Sequence, residues 1–294
     1  MSEHRRGLLL AGSAYLLWGL VPIYFKAVAS VPAHEILAHR IVWSIPIAVL
    51  LIVLLRQPWQ LAEIVRKPRL LGALVLSALL VSTNWFIYTW AITHDRVLDT
   101  SLGYFINPLL TIGLGVLVLR ERLTVVQKNA LLLAATGLGW LIYARGELPW
   151  IALGLALSFG LYGFIRKRTV VNPINGFLVE AVVLMPIALI YLIWLQGEGQ
   201  GQFGHAGIAI SLLLVFGGVV TAVPLSLFAA GVQRIPLTTL GFLQYLSPSL
   251  VFLLAVFVYH EPFDQDRLIS FTCIWSGLAL ATGHNLWQRR QGAN

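Results

Sequence analysis

Ten long apolar runs follow one another along this chain of 294 residues, and they decide what it can fold into. They cover about 7–28, 35–55, 69–92, 99–119, 126–144, 149–165, 174–195, 208–231, 237–259 and 266–286, each bounded by charges, Pro or Gly. Each is close to the roughly 20 residues that a helix needs to cross a bilayer. Hydrophobic residues make up 58% of the chain and charged ones only 11%, against about 45–50% and about 25% in soluble domains. So few polar side chains cannot cover a water-facing surface. The runs are continuous rather than alternating, which argues against a β-barrel. The expected fold is an all-α polytopic membrane protein with ten transmembrane helices. The longest loops, around Arg56–Pro68 and Gln196–Ala206, are too short for a further domain.

The net charge of +8 does not point to nucleic acid, because the basic residues sit at the edges of the apolar runs. Only Lys26, Arg40, Arg96, Arg145 and Arg267 fall on one side of the expected layout. The other 15 of the 20 Lys and Arg, including those near both termini, fall on the opposite side. That bias sets orientation in a bilayer and predicts cytoplasmic termini. Arg166-Lys167-Arg168 is expected to be a cytoplasmic anchor. The opening MSEHRRG leads into the first run without a small-residue cleavage site, so a first membrane helix is expected rather than a removable signal. The single cysteine, Cys273, rules out a disulfide framework and a cysteine metal site within one chain. There is no Walker loop, and the seven histidines form no HExxH-like pair. No cofactor, no metal and no enzymatic activity are expected.

A period near 140 residues runs through the chain. Pro46 matches Pro186 and Gly137 matches Gly277, both at an offset of 140. Pro108 and Glu121 are thirteen apart, as are Pro248 and Glu261, and AYLLWG (Ala14–Gly19) resembles SFGLYG (Ser158–Gly163). Single matches of Pro or Gly mean little, but a shared offset across several helices means a repeat. Residues 1–145 and 146–294 would then hold five helices each. An odd number inverts the second half, the architecture of secondary transporters with a substrate site near the midplane.

Several segments carry a family resemblance. They are VPAHEILAHRIVWS (Val31–Ser44), NW (Asn84–Trp85), SLGYFINP (Ser101–Pro108), SFGLYGFIRKR (Ser158–Arg168), LGFLQY (Leu240–Tyr245) and FLLAVFVYHEP (Phe252–Pro262). Over nearly its whole length the chain resembles the EamA-like, RarD-type branch of the drug/metabolite transporter superfamily. The resemblance implies ten helices, two EamA-type repeats and an inner-membrane permease. Branch members are often named for chloramphenicol sensitivity, which names no physiological substrate. Many superfamily members carry Gly before the glutamate after the fourth helix of each repeat, where Arg120 and His260 stand here.

Polar residues inside apolar runs are costly, by about 2.5–3.5 kcal/mol for a charge at a helix centre, and so face protein, water or substrate. In the second run Glu35 and His39 share a helical stripe with Trp43 and Pro46, and Arg40 lies beside them. Glu35 and His39 are candidate substrate ligands or, alternatively, a helix cap and an interfacial ring. Glu180 stands alone in the seventh run, either paired for helix packing or lining a cavity. Asn84, Trp85 and Tyr88 in the third run, Tyr104 and Asn107 in the fourth, and Gln244 and Tyr245 in the ninth complete the candidates. Amides and phenols also serve as hydrogen bonds between helices. A central cavity is expected between the second, third, fourth, seventh and ninth helices, bordered by Trp85, Tyr104, Asn107, Glu180 and Gln244. Arg40 and Glu180 are related by the 140-residue offset. Inversion places them toward opposite ends, too far apart for a salt bridge, with Arg40 favouring anions and Glu180 cations or protons. Prolines at matching positions are hinges or static kinks.

The expected activity is alternating-access transport of a small organic metabolite or drug across the cytoplasmic membrane. The alternative is a non-transporting scaffold or lipid-handling protein built from the same bundle. The expected partners are the small-molecule substrate and membrane lipid, with no nucleic acid, and the expected state is a monomer.

Overall fold

The computed structural model describes residues 2–93, 97–145, 150–259 and 265–291. Arg96, His260 and Glu261 lie outside them. The helices are α1 (Glu3–Ala27), α2 (Ala33–Leu54), α3 (Leu61–Arg66), α4 (Pro68–Thr93), α5 (Val97–Leu117), α6 (Val125–Arg145) and α7 (Trp150–Arg168). They continue with α8 (Pro173–Gly197), α9 (Ile208–Val232), α10 (Leu237–Gln244), α11 (Leu246–Leu253), a π-helical turn (Leu254–Val258) and α12 (Gln265–Gln291). Among the described residues there is no strand.

Helices are what apolar runs must form where no water can satisfy the backbone, since every N–H and C=O is bonded within the segment. The periphery stays apolar: Ile187, Ile190 and Ile193 on α8 are 74%, 69% and 64% exposed, a surface suited to lipid. By length and composition, seven helices of the described residues can cross a membrane. They are Glu3–Ala27, Ala33–Leu54, Pro68–Ala91, Val125–Ala144, Pro173–Gly197, Ile208–Val232 and Leu237–Val258. Ten runs were expected. Within α5 and α12 the described residues add the apolar stretches Gly103–Leu117 and Phe271–Ala281, and α7 ends in three cations.

Two elements depart from the sequence expectation. The short α3 occupies the loop after α2. The ninth run is broken between α10 and α11 at Tyr245. Pro248 has no N–H to give to the Gln244 carbonyl, which frees that turn. Pro22, Pro46, Pro108, Pro186 and Pro224 instead sit inside continuous helices.

Helices from the two ends of the chain interleave. α1 packs on α9, α10 and α11, α2 on α8 and α9, α4 on α7 and α8, α5 on α7 and α10, and α6 on α12. The core centres on Tyr15, Trp18, Phe159, Tyr162 and Phe228, whose rings touch one another, with Tyr162 and Phe228 stacked at 5.7 Å. Gly218 lets α9 approach the Trp43 carbonyl of α2, where a Cβ would collide. At one end a polar knot joins the α2–α3 loop to the start of α8. The Asn172 side chain accepts from the amides of Ile174 and Asn175 to cap α8, and its own Nδ2 donates to Gln57 Oε1 (2.7 Å). The backbone N–H of Asn172 donates to Gln60 Oε1, and Asn175 Nδ2 donates to the Pro58 carbonyl.

Matching stops end α2 and α8. α2 closes with Arg56 at φ +48° and α8 with Gly199 at φ +68°. Each is followed by an amide that reaches five residues back, Gln57 to Ile52 and Gln200 to Leu195. After α5, Arg120 takes φ +56°, the left-handed region that favours Gly. This is the position where Gly is common in the resembling family. The turn delivers Glu121 to the start of α10, where its carboxylate accepts the amides of Leu237 (2.9 Å) and Thr238 (2.8 Å).

Candidate functional site

Arg40 lies seven residues into α2, roughly 10 Å from its start at 1.5 Å per residue. Its Nε donates to Thr221 Oγ1 of α9 at 2.9 Å, and Thr221 donates onward to the Gly217 carbonyl. The guanidinium carbon is 5.6 Å from the Phe25 ring and 5.4 Å from the Trp85 ring. The hydroxyls of Tyr24, Tyr88 and Tyr104 stand close enough to interact electrostatically with it, and those of Tyr88 and Tyr104 bond to each other. Among the described residues Arg40 has no acidic partner. Gly217 makes room: a Cβ there would lie 2.6 Å from the Tyr24 hydroxyl and 2.9 Å from Arg40 Cγ. Tyr104, within electrostatic reach of Arg40, is 46% exposed, so this polar cluster has an accessible edge between α2 and α5, here termed the Arg40 cleft.

Glu180, seven residues into α8, occupies a different compartment. It is 2% exposed and Arg166 is 0% exposed, with Arg166 Nη1 at 3.4 Å from Glu180 Oε1. That contact is ionic and lacks hydrogen-bond geometry, as Arg166 Nε and Nη1 have no hydrogen-bond partner. Arg166 Nη2 donates to the Pro173 carbonyl (3.1 Å), while Glu180 accepts from Ser77 (2.5 Å) and Tyr162 (3.4 Å). Gly176, one turn before Glu180, has no Cβ to strike the guanidinium. Arg166 is therefore not the expected surface anchor but the buried counter-charge of Glu180. Lys167 is also engaged, donating to the carbonyls of Val232 and Ile235 at the end of α9. A cavity of ≈ 10 Å³ touches Glu180 and is lined also by Ser44, Val81, Trp85 and Leu184, close to the least volume that holds a water. Trp85 thus belongs to the walls of both compartments.

The other candidates do not gather at one site. Glu35 is 0% exposed and its Oε1 accepts the amides of Gln202 (2.7 Å) and Phe203 (3.3 Å), which fastens the α8–α9 loop over the start of α2. His39 stacks on Phe203 at 4.9 Å, with its Nε2 3.8 Å from Glu35. Asn84 donates to the Leu155 carbonyl (2.9 Å) and to Ser158 (3.1 Å), joining α4 to α7. Asn107 receives a long bond of 3.5 Å from Thr111. Gln244 lies against Tyr15, and Tyr245 is packed with Phe105 and Phe271. Around Arg40 the expected ninth helix is replaced by α1 and α9, because the break at Tyr245 sets Gln244 against α1. Arg40 and Glu180 form no salt bridge with each other.

Tyr24, Phe25, Gly217 and Thr221 join the Arg40 cluster without being among the candidates expected from sequence. Thr221 carried a signal, as a hydroxyl at the middle of a largely apolar run, one helical turn after Gly217. Tyr24 and Phe25, at the end of α1, carried none.

A model of the EamA-like transporter family matches residues 5–143 and again 149–283. A Vibrio cholerae relative named an uncharacterized transporter is 46% identical over 278 residues, covering 95% of this chain and 92% of its own. Protein RarD of Escherichia coli is 42% identical over 289 residues, covering 98% of each. A solved crystal structure at 18% identity superposes with a TM-score of 0.72, covering 94% of this chain and 97% of its own, which bears on the fold alone.

Proposed function

Because the chain belongs to the EamA-like transporter family, we propose that this multi-pass membrane transporter moves a small organic metabolite or drug across the cytoplasmic membrane by alternating access. The observation that carries the reading is Arg40: a cation inside an apolar bundle, without an acid among the described residues, at a cleft between helices. A charge is kept in such a place when something other than the fold needs it.

Two inverted repeats, residues 1–145 and 146–294, would hold ten helices with both termini in the cytoplasm. The start of α2 at Ala33 and of α8 at Pro173, 140 residues apart, supports the repeat. So does the packing: exchanging halves turns α1 on α9 into α7 on α4, and α2 on α9 into α8 on α4. The Arg40 cleft then opens toward the periplasm. The Arg166–Glu180 cluster closes the cytoplasmic half. Alternating access requires the second cluster to separate as the first is covered, and the Glu35-fastened loop is placed to cover it. The substrate is a small molecule, and the transporter works as a monomer.

Counterflow of labelled candidate solutes in proteoliposomes tests this reading. Saturable flux that falls in Arg40→Gln supports it. A folded protein without saturable flux for any candidate overturns it.

A further inference from the structure

We infer that the Arg40 cleft binds the carboxylate of a small organic monoanion with a flat, apolar body; this rests on the transport reading and specifies its substrate. The Nε of Arg40 is occupied by Thr221, which fixes the plane of the guanidinium. Its two terminal amino groups make no hydrogen bond among the described residues, and this free fork matches a carboxylate in a bidentate pair. A second observation points to the same ligand. Tyr24 is 7% exposed and its buried hydroxyl has no partner, although it sits beside Arg40 with Gly217 clearing its space. A buried hydroxyl left unpaired costs free energy unless a ligand meets it.

Charge and shape narrow the class. One guanidinium balances one negative charge, whereas a phosphate dianion would keep an uncompensated charge among apolar helices. No described carboxylate pairs with Arg40 or stands on its side of α2 to receive an ammonium group. Glu35 lies about 140° around α2 from Arg40, its Oε1 taken by the Gln202 and Phe203 amides and its Oε2 buried, and Glu180 is held by Arg166 and Ser77. A zwitterion therefore fits less well than a simple acid. The rings of Phe25 and Tyr88, 6.4 Å apart, and of Trp85 supply faces for a flat apolar body.

The test is binding of 3-phenylpropionate, 3-phenylpropionamide, phenylalanine and phenyl phosphate to the purified full chain. It is read by calorimetry and by the shift in melting temperature, which follows binding by mass action. 3-Phenylpropionate should bind at least tenfold more tightly than the amide, phenylalanine or phenyl phosphate. Arg40→Gln should abolish that preference while leaving the unliganded melting temperature within a few degrees, Arg40 having no acid to desert. Tyr24→Phe should weaken the acid severalfold and leave the amide unchanged. Equal binding of acid and amide, tighter binding of phenylalanine or phenyl phosphate, no binding of any probe to folded protein, or indifference to Arg40→Gln would overturn the inference. Arg40-dependent binding with no flux of the acid in proteoliposomes defeats the transport reading alone. Saturable flux of a solute that neither needs Arg40 nor competes with the acid defeats this inference alone.

Discussion

Neutralising Glu180 should unfold the protein far more readily than neutralising Arg40. Glu180→Gln leaves Arg166, fully buried, without its counter-charge and with a single hydrogen bond, to the Pro173 carbonyl. At the observed 3.4 Å, opposite charges attract by roughly 5 kcal/mol at an effective dielectric of about 20. Much of that offsets their desolvation, and removing one partner of such a pair costs about 3–5 kcal/mol. For a chain of this size about 2–4 °C is lost per kcal/mol, so the melting temperature in detergent should fall on the order of 10 °C. Arg166→Met should cost a similar amount. The double variant Arg166→Met/Glu180→Gln should cost less than either single change, because neither orphan remains. The assay is a double-mutant cycle read by thermal unfolding. If the double variant loses the sum of the two single losses, the two side chains do not act as a pair and the account of this cluster is wrong.

Replacing Arg120 by Gly should raise stability by about 0.5–1 kcal/mol, since Arg pays for a left-handed φ there; a lower melting temperature would contradict this. Glu121→Ala should cost about 1–2 kcal/mol through loss of the α10 cap, and Glu121→Gln, which keeps an acceptor, should cost less. Single cysteines at the exposed positions Arg66 and Gln200 should be labelled from the cytoplasmic and outer sides respectively, and the reverse pattern would invert the proposed orientation.

Much of the architecture was legible because hydrocarbon leaves few options: an apolar run of adequate length becomes a helix. The 140-residue offset likewise anticipated that α2 and α8 would start 140 residues apart, and that Arg40 and Glu180 would not meet. The partner of Glu180 was not legible. Arg166 sits in a run of three cations at a helix end, and nothing in that run says which of them turns inward. The choice is made by Gly176, eight residues into the next segment after Arg168, which leaves a hole that one guanidinium fills. The scatter of the amide and phenol candidates has a similar cause. Asn84 and Gln244 look alike in sequence, yet one bridges two helices and the other is set by a break at Tyr245. Glu35 and His39 proved to be engaged by a loop, and a glutamate near a helix start gives no sign of which distant amides it will hold.

Trp85 stands with the free cation on one side and the cavity of the paired acid on the other. An indole face is apolar and offers no path for a proton, so this one side chain separates the guanidinium from the cavity. A transporter that holds a charged solute in one space and keeps the other closed must avoid passing small ions in the meantime. Each elementary charge that leaks down a membrane potential dissipates about 2.3 kcal/mol per 100 mV. Under the proposed transport cycle, the barrier to such leakage between the two sites would be one ring that carries no charge.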